Sequence, residues 1–302
     1  MAVGWEGAPL AQQSVANESP NHGQTPDHGQ TPDHGQSGQV NAAGRLLAVL
    51  DAFGPTHRAL TLSEISRRAG LTLSTAHRLV RELSNWGALE RDASGRYALG
   101  LRLLELAALT PRGLAFREAA YPVLDKLAHR TQGNVHLGVR DDLEVVYIES
   151  LRATASHPTN SRIGDRWPLH VTGTGLVLLA YADGDLQERA LRGPLQRFTP
   201  LTVTDPQELR RQLDQVRRTG IAVARGQITL PDLVVAAPVH DQAGAVAAAV
   251  SVVVEAQGAQ PKLLAATLAE ASAAITRRLG RPTDGSASPR TRRNPMVSTY
   301  GM

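Results

Sequence analysis

The stretch from Thr61 to Arg91, TLSEISRRAGLTLSTAHRLVRELSNWGALER, decides the fold of the N-terminal part of the chain. Its first four residues match a capping box, in which the Thr61 hydroxyl and the Glu64 carboxylate satisfy orphan amides at the start of a helix. Gly70 ends this helix, and another begins after Thr72. Because the turn between the two helices spans only about four residues, the stretch predicts a helix-turn-helix.

Elements on both sides of this stretch complete a winged helix-turn-helix. Upstream, an amphipathic helix is predicted by apolar residues at i, i+3, i+4 and i+7, namely Leu46, Val49, Leu50 and Phe53. Downstream, residues 89–91 and 96–99 flank the turn Asp92-Ala93-Ser94-Gly95, which is typical of a small hairpin, or wing. Residues 99–106 suit a linker helix that could pack against its copy in a second subunit, because they contain Leu101, Leu103, Leu104 and Leu106.

The helix after Thr72 has the polar face of a helix that contacts DNA. In the major groove, an arginine can bond to guanine O6 and N7, while serine and threonine hydroxyls near the helix start can meet phosphates. The candidate DNA-binding residues are Arg45, Thr72, Ser74, Thr75, His77, Arg78, Arg81 and Arg96. A purely structural amphipathic helix would show a similar face, and Arg45 or Arg96 could be ordinary surface arginines. The wing and the short turn favour the DNA interpretation.

The pattern changes near residue 110 to mixed helices and strands. The predicted elements are a helix over 116–127 with a kink at Pro122, a hairpin of strands 135–139 and 144–150, a helix from Thr172 to Ala182, a helix starting at Asp205-Pro206, strands at 221–224, 233–239 and 245–254, and a final helix from Pro261 to Leu279. Antiparallel strands covered by helices predict the α+β class. We therefore expect a DNA-binding domain with its linker at 41–108 and a second domain at 109–280.

Both ends of the chain are polar. Residues 1–40 contain the repeat GQTPDH twice, and residues 281–302 form a basic tail. Such compositions cannot bury enough apolar surface to offset the entropy of ordering, so we expect disorder in both segments. Three histidines of the repeat region lie six residues apart, but a flexible tail does not preorganise a metal site, and we expect no functional metal there.

Composition excludes several classes of function. The chain has no cysteine, which removes disulfides, thiol nucleophiles and thiolate metal sites. It has no apolar run near the roughly 20 residues of a membrane span and no export signal, so we expect a cytoplasmic protein. Gly173-Thr174-Gly175 lacks the Gly-Lys-Ser/Thr of a phosphate-binding loop. With no paired carboxylates or nucleophile motif either, we expect no enzymatic activity and no cofactor.

Several motifs together resemble the IclR family of bacterial transcription regulators. They run from Arg45 to Leu50 (RLLAVL), through Leu62 to Ile65 (LSEI) and Ser74 to Leu79 (STAHRL), to Tyr97 to Gly100 (YALG), and continue with Pro168-Leu169-His170, Ala236 to Val239 (AAPV) and Leu279-Gly280. The resemblance implies a GAF-like sensor domain, a small-molecule effector, and homodimers or homotetramers bound to double-stranded DNA.

The resemblance also implies a set of effector-binding residues. Gly173 and Thr174 match the helix start that presents amides to a bound carboxylate, and Ser251 matches a pocket serine. Three positions depart from the family pattern and make the pocket less polar: Ala224 replaces a frequent aspartate, Val234 a frequent cysteine and Val253 an occasional serine. We therefore expect an effector more apolar than a small keto acid.

Trp167 and Asp232 complete this set as possible pocket residues. Alternatively, Val234 and Val253 could simply pack in the core. Two alternatives for the whole chain are a winged-helix module that binds protein or RNA, and a GAF-like domain with enzymatic activity. We expect instead a regulator that binds a near-palindromic operator and represses or activates transcription in response to its effector.

Overall fold

The computed structural model describes residues 41–54, 56–110, 114–153 and 161–280. The predicted disordered segments 1–40 and 281–302 lie outside these residues, so their predictions stay open. Contacts divide the chain into two units, Met1–Leu103 and Leu104–Met302. The division falls within the predicted linker helix at 99–106, five residues before the predicted domain boundary between 108 and 109.

The N-terminal unit is a winged helix-turn-helix, as predicted. Its elements are α1 (Ala42–Asp51), β1 (Ala59–Leu60), α2 (Leu62–Arg68), α3 (Leu73–Trp86), β2 (Leu89–Arg91) and β3 (Tyr97–Leu99), and the linker helix α4 (Leu101–Ala108) follows across the boundary between the units. Four residues, 69–72, separate α2 from α3. The predicted hairpin of two strands forms, but the prediction lacked a third strand: β1 pairs with β3 and makes a three-stranded sheet in the order β1-β3-β2. A two-residue strand is too short to show alternation in the sequence.

Helix caps fix the boundaries of the two central helices. The capping box forms at α2, where the Thr61 amide donates to the Glu64 carboxylate at 2.7 Å and the Glu64 amide donates to the Thr61 hydroxyl at 3.3 Å. The Thr61 hydroxyl also donates to the Glu64 carboxylate, at 2.9 Å. The bonds from the Thr61 amide and hydroxyl lower the pKa of Glu64, and the amide is the larger cause. At the end of α3, Gly87 has φ +87°, a left-handed cap that glycine adopts without strain.

The core of this unit is aliphatic. Val49, Ile65 and Val80, one from each helix, are at most 1% exposed and pack in one cluster. Phe53 packs against this cluster but lies beyond the end of α1, contrary to its predicted place on the helix. The cluster holds the three helices together and leaves the opposite face of α3 in solvent.

The C-terminal unit is an antiparallel sheet with helices on both faces, which confirms the α+β class. Its elements are α5 (Leu114–Thr131), β4 (Asn134–Asp141), β5 (Glu144–Leu151), β6 (Arg166–Pro168), a 3-10 turn (Leu169–Val171), α6 (Gly173–Ala180), α7 (Gly184–Arg192), α8 (Pro206–Thr219), β7 (Ala222–Arg225), β8 (Asp232–His240), β9 (Val246–Glu255) and α9 (Pro261–Leu279). Helix α5 continues through Pro122. The predicted helix at 172–182 is α6, which ends two residues earlier.

The six strands are ordered β6-β5-β4-β9-β8-β7. One face packs against α5 and α9 through residues such as Val135, Leu137 and Val250. The other face packs against α6, α7 and α8 through residues such as Tyr147 and Ala236. Strand β6 and helix α7 were not predicted. β6 has only three residues, whereas α7 did carry a signal in its cap Asp183 and its buried face of Leu186, Ala190 and Leu191.

Within the described residues, no helix combines the length and the apolar composition that crossing a bilayer requires.

Candidate nucleic-acid interface and effector site

Helix α3 separates its apolar residues from its polar ones, as the sequence predicts. Ala76, Leu79, Val80 and Leu83 are buried. Ser74, His77, Arg78 and Arg81 are exposed on the other side, and Thr75 is half-buried. The buried residues anchor the helix, so its polar face can change without loss of the core.

The guanidinium groups of Arg78 and Arg81 are available to a partner. Among the residues that the structure describes, none forms a hydrogen bond or ion pair with Arg78, Arg81 or His77. Arg45 on α1 is also exposed. A free guanidinium on a rigid helix can donate two parallel hydrogen bonds to a guanine edge or a phosphate.

Thr72 acts first as the cap of α3. Its Oγ1 accepts from the Thr75 amide at 3.4 Å and donates to the Thr75 hydroxyl at 2.9 Å. Ser74 Oγ lies 3.3 Å from Thr72 Oγ1. The hydroxyl groups therefore form a cluster at a helix N-terminus, where the backbone amides and the helix dipole favour a phosphate.

Arg96 differs from the other candidates because its side chain is engaged within the protein. Its Nε and Nη2 donate to the Ala59 carbonyl at 3.1 and 2.9 Å, and Nη2 also contacts the Glu64 carboxylate at 3.1 Å. These bonds tie β3 to β1 and to the capping box of α2. The predicted phosphate contact of Arg96 stays a prediction, and the contacts assign it a structural role besides.

The wing turn is held by one aspartate. The Asp92 carboxylate accepts from the Ser94 hydroxyl at 2.7 Å and from the Ser94 and Arg96 amides at 2.9 Å each. These bonds lower the pKa of Asp92, with the Ser94 hydroxyl as the largest cause. Gly95 supplies the left-handed residue that closes the turn, with φ +83°.

The second candidate site is the start of α6. Every residue of this helix is buried. Thr172 caps it, with Oγ1 accepting from the Gly175 amide at 2.8 Å. The amides of Gly173 and Thr174 have no acceptor inside their own helix, because the first amides of any helix lack one. Buried amides of this kind form a site for an anion such as a carboxylate.

Sheet register brings most of the predicted effector-binding residues together. Ala224, Val234 and Val253 lie side by side across β7, β8 and β9, and Ser251 is two residues from Val253 on the same face. A β-carbon at Gly173 would lie only 2.7 Å from Val234 Cγ1. The start of α6 therefore packs directly on this apolar row.

Two predicted effector-binding residues, Asp232 and Trp167, lie away from the centre of the candidate site. Asp232 begins β8, two residues before Val234 on the same face. Trp167 lies on β6, with β5, β4 and β9 between it and β8, and its ring is 5.7 Å from that of Phe198. Strand order thus separates Trp167 from the apolar row of Ala224, Val234 and Val253. Its role in the pocket stays a prediction.

His136 and Tyr147 were missed as site residues. Both lie on the sheet face that packs against α6, and their rings stack with centroids 4.8 Å apart and planes within 20°. Desolvation lowers the pKa of His136 to about 4, with Arg152 adding to the effect. Desolvation also raises the pKa of Tyr147 to about 12, partly offset by hydrogen bonds to Thr174 and Thr172. The strand alternation that puts Val135 and Leu137 on one face was the available signal for His136.

Comparison with known proteins gives the same two-part division. The family model described as IclR helix-turn-helix domain matches residues 42–93, and that described as bacterial transcriptional regulator IclR C-terminal matches residues 110–277. The HTH-type transcriptional regulator XynR of Escherichia coli is 32% identical over 80% of this chain and 98% of its own length. The glycerol operon regulatory protein of Streptomyces coelicolor is 34% identical over 67% of this chain and 80% of its own.

A similar solved structure carries a ligand. It is an IclR homolog from Microbacterium hydrocarbonoxydans complexed with 4-hydroxybenzoate. That protein is 37% identical to this chain, with a TM-score of 0.74 over 78% of this chain and 97% of its own.

Proposed function

The chain belongs to the IclR family of transcriptional regulators, with a helix-turn-helix DNA-binding domain and an effector-binding C-terminal domain, and from this premise we propose how its two sites act. Helix α3 lies in the major groove of a near-palindromic operator, where Arg78 and Arg81 contact bases or phosphates. A carboxylate effector binds at the start of α6 and changes the affinity for DNA.

One observation carries the DNA proposal: Arg78 is exposed on a capped helix and is free of partners among the described residues. Ser74 and Thr75 stand at the same end of the helix, where phosphates are favoured. Arg45 supplies a further positive charge from α1. A few placed arginines of this kind suit a specific contact better than a general basic coating would.

The effector proposal rests on the anion site at Gly173 and Thr174 beside the apolar residues Ala224, Val234 and Val253. An anion site next to an apolar surface suits a carboxylate with an apolar body. The 4-hydroxybenzoate bound to the Microbacterium homolog has this character. We therefore propose an aromatic carboxylate as the effector of this protein.

The direct test is DNA binding with and without ligand. Fluorescence anisotropy would measure the affinity for the DNA upstream of the protein's own gene, with scrambled DNA of equal length as control and 4-hydroxybenzoate as the probe. We expect preference for the upstream DNA and an affinity that changes at least fivefold with the ligand, a usual size for coupling between two sites. Equal affinity for both DNAs, or stronger competition by RNA, would contradict the DNA proposal.

We further propose that the C-terminal domain senses its ligand without converting it, and that the protein acts in the cytoplasm, where its DNA lies. Its relatives are transcriptional regulators. Prolonged incubation should return 4-hydroxybenzoate intact by liquid chromatography. Turnover that depends on the protein would support the enzymatic alternative instead.

A further inference from the structure

We propose that His136 selects the effector, favouring aromatic carboxylates that carry a hydroxyl group over those that carry none. This inference rests on the proposed effector site at the start of α6. It adds a residue that recognises the part of the ligand away from the carboxylate.

His136 lies on the sheet face that packs against α6. Its neighbours Val135 and Leu137 pack with α5 and α9 on the other face, and successive residues of a strand point to opposite faces. Across β9 its partner is Ser251, and Ser251 in turn pairs with Ala236. His136 therefore shares a row with the predicted pocket serine.

The imidazole of His136 is buried, with only 1% of the residue exposed. Within the part of the chain that the structure describes, neither Nδ1 nor Nε2 has a hydrogen-bond partner. Burying a polar group without a hydrogen-bond partner costs free energy, and most buried polar groups in native proteins have a partner. A ligand that bonds to one nitrogen would remove this cost.

The contacts around His136 connect it to the anion site. Its ring stacks on Tyr147, whose phenol lies near the Thr174 and Thr172 side chains at the start of α6, which act to lower its pKa. Gly138, two residues along β4 from His136, lies against the same helix: a β-carbon there would be 3.6 Å from Thr174 Cβ. Two residues of strand span about 7 Å, so His136 lies about the length of one substituted benzene ring from the strand position that contacts Thr174.

The charge state of His136 fits a hydroxyl group. Burial keeps the ring neutral at pH 7, since its pKa lies near 4. A neutral imidazole has one donor and one acceptor nitrogen. It can therefore donate a hydrogen bond to a ligand hydroxyl group or accept one from it. Because the ring is neutral, it has no positive charge that would attract the carboxylate away from the α6 amides.

Calorimetry with two probes tests the inference on the full chain. Wild type should bind 4-hydroxybenzoate about tenfold more tightly than benzoate, the worth of one buried hydrogen bond. His136→Phe keeps an aromatic ring but removes both nitrogens, so the two affinities should become equal through loss of 4-hydroxybenzoate binding. The matched control is His129→Phe on the exposed end of α5, which should leave the tenfold ratio unchanged.

A measurement on wild type alone covers the case in which His136→Phe fails to fold. With ¹⁵N-labelled histidine, 4-hydroxybenzoate should shift the ring-nitrogen resonances of one neutral histidine, and benzoate should not. A ratio near one in wild type, an unchanged ratio in His136→Phe, or no such NMR shift would overturn the role of His136 while leaving the proposed effector class intact. Failure of both probes to bind wild type would overturn the effector class, and this inference with it.

Discussion

Burial keeps the His136 imidazole neutral in the folded protein and makes stability depend on pH. The folded pKa is near 4, whereas a histidine in an unfolded chain titrates near 6.5. Between these values the unfolded state binds more protons, so acidification favours unfolding. The penalty is absent above about pH 6.5 and grows to about 3 kcal/mol as pH falls to about 4.

Chemical denaturation at pH 7 and at pH 4.5 measures this penalty. His136→Phe should lose less stability between the two values than wild type does. His170, whose pKa burial also lowers, contributes in the same direction in both proteins and cancels in the comparison. Equal losses in the two proteins would show that His136 is not desolvated as described.

At the scale of elements, the end of α3 is packed against the start of α4. Gly100 precedes α4, and a β-carbon there would lie 2.3 Å from the Gly87 carbonyl oxygen at the cap of α3. The Arg102 guanidinium lies over the Trp86 ring at 5.6 Å. Helix α3 and the linker helix are therefore held together by a close backbone contact, and movement of a side chain cannot make room for a β-carbon at Gly100.

We predict that Gly100→Ala destabilises the DNA-binding unit by about 1–3 kcal/mol, the usual cost of overpacking. Thermal or urea denaturation followed by the fluorescence of Trp86, in a background in which Trp5 and Trp167 are replaced by phenylalanine, would measure the change. Gly54→Ala is the matched control, because its β-carbon would meet nothing within 4 Å. A Gly100→Ala protein as stable as the control variant would contradict the close approach of α3 and α4.

The sequence predicted elements better than contacts between them. The caps at Thr61, Thr72 and Asp205 follow local rules, and the helices that they start were predicted within a few residues. The short strand β1 was missed because only its pairing with β3, more than 30 residues away, stabilises it. Local pattern does not contain that information.

The candidate site shows the same limit. Gly173 and Thr174 were predicted through family resemblance. His136 was not predicted, although the alternation of β4 could have placed it on the sheet face opposite Val135. Its value as a site residue depends on two long-range facts, that β4 lies between β5 and β9 and that α6 covers that face. The same strand order weakens the prediction for Trp167, because three strands separate its strand β6 from β8, which carries Val234.

At the scale of the whole molecule, the linker helix has an apolar surface that suits a second copy of the chain. No residue of α4 is buried, and Leu101 and Leu104 are 67% and 57% exposed. Solvent-exposed leucines in such a group indicate an interface. We propose a homodimer through α4, or a homotetramer that contains it, as the state that binds a near-palindromic operator.

Sedimentation velocity would test this assembly. Leu104→Glu should shift the protein toward a smaller species, because it places a charge in the proposed interface. Leu263→Glu on α9 is the matched control, since Leu263 is also exposed, at 63%, and should leave the mass unchanged. A monomeric wild type, or a Leu104→Glu protein of unchanged mass, would contradict the proposed interface.

The central claim, that the exposed face of α3 contacts DNA, is tested most directly by the affinity of Arg78→Ala for operator DNA at fixed salt. Arg218→Ala, on α8, removes the same charge from an exposed position elsewhere and serves as control. We predict that Arg78→Ala weakens binding by about 1–3 kcal/mol, roughly 5- to 150-fold, while Arg218→Ala binds as wild type does. Wild-type affinity in a folded Arg78→Ala protein would contradict the claim.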